Sequence, residues 1–343
     1  MNAKYYLLLI AACFAYAFAD DGYSVYGDMA GEVLVSPASG ALSSSDMALN
    51  PAGPVASNPA LVALPNPPEL SLSYSSYYNG VFSTSMLNYT GLIGQWGGIG
   101  VTAAYLLIPG IEDTRSVDLT AIDTDNLETF TASDVWVRTA YGYAFKANEY
   151  VDFYAGAAVT ARRRRLETLL AYGLGADLGV AAHLKNPSIY AALLWENVRY
   201  SLVRWQSSDY VEHVPQHIRL SLAWEREDPY IYGRIALYYT SPDLLFNEGV
   251  NHYGQSADRE EGKLPETLTL KDGAGVLISA ARYGIEYTIM NTLTLRAGLN
   301  GAGYAMGAGL ALFNRRAGID FCYVNHELAG TVKMSVTYRW LQK

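Results

Sequence analysis

The sequence predicts an all-β chain, a transmembrane antiparallel up-and-down β-barrel of about 14 strands with an N-terminal hatch or plug. Three observations carry this. Only 17% of the 343 residues are charged while 50% are hydrophobic, against roughly 25% charged in an average soluble domain. No internal stretch reaches the roughly 18 continuous apolar residues of a membrane-spanning helix. The apolar residues are instead dispersed in short segments of period two, the signature of a barrel that crosses lipid with strands.

The last segment, Thr331 to Trp340, shows the pattern best. Val332, Met334, Val336, Tyr338 and Trp340 share one face, and Thr331, Lys333, Ser335, Thr337 and Arg339 share the other. The apolar face ends in two aromatics, as a strand does at a membrane interface. An edge strand of a soluble sandwich would alternate in the same way, so the rest of the chain has to decide.

The chain opens with a targeting signal, residues 1–19. Lys4 precedes an apolar run from Tyr5 to Tyr16, and Ala17-Phe18-Ala19 fits a small-x-small cleavage site ahead of Asp20. Ile10-Ala11-Ala12-Cys13 offers a second reading, a lipoprotein box with Cys13 lipidated. Cleavage after Ala19 leaves Cys322 as the only cysteine, which excludes disulfide-knit secreted scaffolds. Removing Lys4 takes the formal charge from −9 to −10, which argues against a nucleic-acid partner.

Residues 20–68 are rich in Ser, Pro, Ala and Asn, with prolines too dense for a central strand or a regular helix. A disordered linker would not carry Met47, Leu49, Val55, Leu61, Val62 and Leu64. An exposed arm and a plug inside the barrel remain, and the plug is favoured. Strands are then expected at about 70–78, 81–90, 95–107, 133–146, 150–162, 167–183, 188–202, 218–225, 231–239, 281–289, 292–300, 303–313, 316–325 and 331–340. Asn79-Gly80 is a two-residue hairpin signal.

Loop length sorts by parity. The long gaps, 109–131, 204–213 and 241–280, are the third, seventh and ninth, while the even gaps are short turns such as 147–149, Asp228-Pro229 and Met290-Asn291. Membrane barrels keep short turns on the periplasmic side and long loops outside, whereas a sandwich has no reason to sort them. The predicted inward faces carry Arg138, Asp177, Glu196, Arg219, Glu225, Arg234, Arg282, Glu286, Arg296, Asp320, Lys333 and Arg339. A lipid-facing charge at mid-membrane costs roughly 2–4 kcal/mol, so these face a lumen and pair there.

Two features resemble a family. Asn58-Pro59-Ala60-Leu61 precedes a first strand rich in Ser and Tyr, and Glu327-Leu328-Ala329-Gly330 precedes Val332 to Trp340. Together they resemble the fourteen-stranded FadL-like outer-membrane barrels, and most the PorV/PorQ branch linked to type IX secretion. The resemblance implies that residues 20–68 form a hatch filling the lumen and that the barrel, 69–343, sits in the bacterial outer membrane. Val336, Tyr338 and Trp340 would form the signal read by the barrel assembly machinery. It also implies a non-enzymatic role in protein secretion or surface attachment, with secretion-system subunits or secreted proteins docking on the extracellular loops. The alternative is FadL-like transport of hydrophobic small molecules such as long-chain fatty acids.

Catalytic and metal motifs are not evident. His183, His213, His217, His252 and His326 are scattered, and no nucleophile motif or phosphate cradle is present. No cofactor or metal is expected. Arg162-Arg163-Arg164-Arg165 is the one charge run, assigned to the fifth gap and hence outside. It would either meet lipopolysaccharide phosphates through bidentate guanidinium forks or pair with the acids at 112–128.

Overall fold

The computed structural model describes residues 34–49, 57–94, 96–113, 127–146, 148–198, 201–206, 211–214, 216–230, 232–245, 277–301, 303–326 and 329–340. The predicted signal segment, residues 20–33 and 50–56 of the predicted hatch, and His252 lie outside the described residues. The strands are β1 (Glu69–Tyr77), β2 (Phe82–Ile93), β3 (Gly97–Glu112), β4 (Thr129–Lys146), β5 (Val151–Leu166), β6 (Leu169–Lys185), β7 (Ser188–Glu196) and β8 (Ser201–Trp205). They continue with β9 (Val211–Val214), β10 (His217–Asp228), β11 (Gly233–Thr240), β12 (Arg282–Ile289), β13 (Leu293–Asn300), β14 (Gly303–Leu312), β15 (Ala317–Val324) and β16 (Thr331–Arg339). A short helix, α1 (Pro37–Ala41), and a 3-10 turn, Pro59–Ala63, precede them.

Every pairing is antiparallel, and β1 pairs with β16 while β5 pairs with β6, so the sheet closes on itself. Sixteen strands make a ring of fourteen. The first half of β6 pairs with β8 and the second half with β7. Correspondingly β9 pairs with β8, and β10 with β7. The predicted strand 188–202 is therefore one stave broken at Asn197, and β9 begins within the predicted gap 204–213. The break is fixed by a contact with the neighbouring strand. Asn197 has φ of 52°, and its N–H donates to Asp177 Oδ1 at 2.8 Å rather than to the ladder.

The alternation read from the sequence is the division between wall and lumen. On β1, Leu70, Leu72 and Tyr74 are exposed while Ser71, Ser73 and Ser75 are buried. On β16, Val332, Met334, Val336 and Tyr338 are exposed, as is Trp340 just after it, while Thr331, Lys333, Ser335 and Thr337 are buried. Leu72 and Val336 face each other across the closing seam, 60% and 59% exposed. A continuous apolar belt on every stave is unstable against water and fits lipid. No helix among the described residues is long and apolar enough to cross a membrane; the chain crosses with strands.

Aromatics mark both edges of the belt. Tyr89, Tyr141, Tyr143, Phe153, Tyr338 and Trp340 ring one rim, and Tyr105, Tyr172, Tyr283 and Tyr304 lie toward the other. Trp340 stacks edge-on with Tyr338 at 5.1 Å and with Tyr89 at 6.4 Å. The rim with Trp340 carries only short connections, such as Asn186-Pro187 between β6 and β7. The gaps 113–128, 206–210 and 241–281 all leave the opposite rim, which is extracellular by the rule for such barrels.

Two local expectations need correction. The first hairpin turns over four residues, Tyr78–Val81, because Tyr78, Asn79 and Gly80 all take positive φ. The arginine run lies within β5, which extends to Leu166, so the fifth gap is only Glu167-Thr168. A strand needs roughly 9–11 residues to cross lipid. β4, β5 and β6 have 18, 16 and 17, so they project beyond the bilayer and keep alternating through charge.

Candidate functional site in the lumen

Two N-terminal segments lie inside the barrel, and both begin alike. In one, Ser36 accepts from the Ser39 N–H at 3.2 Å and Pro37 opens α1. In the other, Asn58 accepts from the Ala60 N–H at 3.0 Å and Pro59 opens the 3-10 turn. Ser and Asn cap helical turns, and proline suits their first position because its missing N–H has no partner there. Ser36-Pro37-Ala38 is thus a second copy of the Asn58-Pro59-Ala60 device. The sequence reading missed it, and cap-Pro-Ala spacing was the signal that could have found it.

Inward glycines seat both segments. Gly98, Gly142, Gly156 and Gly179 are directly opposite one another across β3, β4, β5 and β6. A Cβ at Gly98 would strike the Val62 carbonyl, at Gly142 it would lie 2.9 Å from the Pro59 oxygen, at Gly156 it would strike that oxygen, and at Gly179 it would strike the Asn58 amide. Asn58, Pro59, Ala60 and Leu61 are all buried against this row. On the far wall, Gly284 and Gly298 pair across β12 and β13, and a Cβ at either would strike Ser45, Leu42 or Ser43. Glycine is required because the backbone of a luminal segment lies against the strand itself.

Polar groups of the wall hold the same segments. Thr240 Oγ1 donates to the Ser45 carbonyl at 2.8 Å, and Arg138 Nη2 donates to the Ser57 carbonyl at 3.2 Å. Arg138 also pairs with Asp177 at 3.0 Å. The segments share an apolar core with the wall: Leu42, Ala48, Leu49, Leu61 and Leu64 meet Tyr154, Tyr190 and Tyr238.

Charged side chains on the inward faces pair along the wall. Glu225 binds Arg234 at 2.7 Å, Arg234 binds Glu286, Glu286 binds Arg296 at 2.7 Å, and Arg296 binds Asp320 at 2.6 Å. This ladder crosses β14 at Gly309, where a Cβ would meet both Asp320 and Arg296. Arg219 pairs with Glu196, and Arg339 pairs with Glu69 at 2.7 Å across the closing seam. Lys333 donates to the Tyr77 hydroxyl at 2.8 Å, and Arg282 stands opposite Thr240 on the inward face. Buried charges persist only when paired in this way.

Arg162 and Arg164 turn inward, Arg164 onto Asp134 at 3.0 Å, while Arg163 and Arg165 turn outward. The tetrad therefore does not act as one surface patch. His217 contacts Asp243 at 3.0 Å and fastens the start of the long connection 241–281. Among the described residues, no group of three or more His, Cys, Asp or Glu side chains is placed to hold a metal ion.

Near the loop rim the inward surface changes character. Tyr77, Phe82, Met86, Leu106 and Trp136 form a buried apolar cluster with Leu34 from the N-terminal segment. Tyr77 and Phe82 stack at 4.4 Å. Trp136 is only 1% exposed, and its indole N–H has no hydrogen-bond partner among the described residues. Arg162 is directly opposite it on β5.

No family model matches the chain, and no curated protein matches it. Among solved structures it is similar to a FadL homologue of Pseudomonas aeruginosa, with 11% identity over 90% of this chain and 98% of that one, at a TM-score of 0.48. It is similar also to the Pseudomonas putida toluene transporter TodX (12% identity, 82% and 91% covered, TM-score 0.45) and the Acinetobacter baumannii outer membrane protein Omp33 (10%, 81% and 100%, 0.39). The assignment as a closed transmembrane barrel rests on this chain's own strand pairing and exposed belt.

Two expected outcomes test the luminal seats. Gly156→Val should displace the 57–64 segment and raise its protease sensitivity at least tenfold. Gly318→Ala, where a Cβ meets only ordinary contacts beyond 3.5 Å, should change nothing. The second outcome concerns pH. Burial pushes the Asp46 carboxyl up to about 6, against a bond from Ser39 Oγ at 2.5 Å that lowers it; Glu286 raises it further and Arg296 lowers it. The packed segment therefore holds a proton between about pH 4 and 6 that the released segment does not. Packing weakens as pH rises through that window, by on the order of 3 kcal/mol, and levels off above it. The protection of residues 37–49 against hydrogen exchange, relative to the intrinsic rate at each pH, should fall from pH 4 to 7, and Asp46→Asn should flatten that response.

Proposed function

We propose that the barrel conducts hydrophobic small molecules with an anionic head, such as long-chain fatty acids, across the outer membrane, with residues 34–64 acting as its hatch. The observation that carries this reading is the apolar cluster of Tyr77, Phe82, Met86, Leu106 and Trp136 at the loop rim of the lumen. An apolar tail would take the place of Leu34 against Phe82 and Met86, and the head would take the Trp136 N–H beside Arg162. The break in the wall at Asn197, between β7 and β8, offers a lateral exit. Docking of secretion partners on the loops is the second reading, supported by the salt-bridged lumen and the segments packed inside it.

The test is saturable binding of a long-chain fatty acid to the purified barrel by calorimetry. Trp136→Phe removes one hydrogen bond to a charged group, about 1.5 kcal/mol or more, so affinity should fall roughly tenfold. Met86→Glu should abolish binding. No saturable binding to the unaltered barrel, together with protein partners retained on gentle purification, would favour the docking reading instead.

A further inference from the structure

Projection of β4–β6 beyond the bilayer leaves cations on the outer wall. Arg163 on β5 is directly opposite Tyr172 on β6, and Tyr172 is directly opposite Arg204 on β8. All three are exposed. Arg165 follows two residues beyond Arg163 on the same face, its Nε donating to the Glu167 carbonyl at 2.8 Å. The row extends through Val135 to Tyr105, which belongs to the aromatic edge. One step toward mid-membrane the same face reads Val137, Ala161, Leu174 and Leu202, without charge.

Strand geometry fixes the height of this row. Phe153, on the short-turn edge of the belt, and Arg163 are ten residues apart on β5. Ten residues at about 3.3 Å span roughly 33 Å, and a tilt of about 40° reduces that to roughly 25 Å of height. That is about the height of the apolar band of such barrels. Arg163 and Arg204 therefore stand where lipid headgroups begin, on the extracellular side.

We propose that this face of β5, β6 and β8 binds phosphorylated lipid of the outer leaflet, with Arg163, Arg165 and Arg204 clasping its phosphates around Tyr172. In contrast to the paired cations of the lumen, Arg163 and Arg204 form no ion pair among the described residues. They lie two strand spacings apart, about 10 Å, so their flexible side chains reach a common headgroup. Guanidinium forks take phosphate oxygens bidentately, and Tyr172 supplies the amphipathic ring suited to the interface. The alternation divides the run between two tasks, with Arg162 and Arg164 serving the lumen and Arg163 and Arg165 the lipid.

The experiment uses the purified full-length barrel with bisphosphorylated lipid A, dephosphorylated lipid A or inorganic phosphate, read by native mass spectrometry after a detergent wash. The unaltered barrel should retain the bisphosphorylated lipid at least tenfold better than the dephosphorylated one, and millimolar phosphate should not displace it. The combined Arg163→Gln, Arg165→Gln and Arg204→Gln variant should lose that retention, while Arg315→Gln with Arg316→Gln at the opposite rim should keep it. Heat-modifiable gel migration verifies that each variant is a folded barrel, and the Lys triple variant serves if the Gln one is not. Retention unchanged in the folded triple variant, equal retention of dephosphorylated lipid, or displacement by inorganic phosphate would each overturn the proposal.

Discussion

The seam between the first and last strands is the constraint from which the rest follows. In hydrocarbon an unpaired backbone N–H or C=O costs several kcal/mol, so a sheet can cross lipid only if it has no edge. β1 meets β16 from Glu69–Arg339 to Ser76–Val332 without a shift in register. Arg339 and Glu69 pin one end of the seam, and the Trp340 N–H reaches back to the Pro68 carbonyl at 3.0 Å. Once the ring is closed, period two leaves no freedom. Each residue faces either lipid or lumen, and a one-residue slip would exchange the two sets.

The lumen then has to be filled with groups that satisfy one another. Fourteen staves enclose more space than their own side chains occupy, and the chain uses its N-terminal segments for that. Inward glycine is the common solution. Gly98, Gly142, Gly156 and Gly179 admit the 57–64 backbone, Gly284 and Gly298 admit 42–45, and Gly309 admits the Arg296–Asp320 pair. Glycine in a strand interior normally weakens it. Here each absent side chain is replaced by an atom of the luminal segments or of the charge ladder. The departure from the regular wall at Asn197 lies beside Asp177 and close to Arg138, which holds the second segment.

Much of the architecture was legible because membrane barrels obey a strict code. Alternation in Thr331–Trp340, the scarcity of charge and the sorting of loop lengths needed no tertiary knowledge. Other features were hidden for physical reasons. A strand that outruns the bilayer carries charge on both faces, so Arg162–Arg165 read as a loop. The break at Asn197 depends on an aspartate twenty residues earlier, which no local pattern reveals. The glycine row was illegible because its members come from four strands and align only through register. The apolar cluster behind the proposed function was missed for the same reason, with Met86, Leu106 and Trp136 each looking like an ordinary inward residue.

The central claim, a closed wall with lipid outside and a paired lumen inside, is tested most directly by the period of lipid contact along β16. In a Cys322→Ser background, single cysteines placed from Val332 to Trp340 and labelled with an environment-sensitive dye would be probed with brominated lipid. The structure predicts strong quenching at 332, 334, 336, 338 and 340 and protection at 333, 335, 337 and 339. Quenching without alternation, or with the opposite phase, would contradict it.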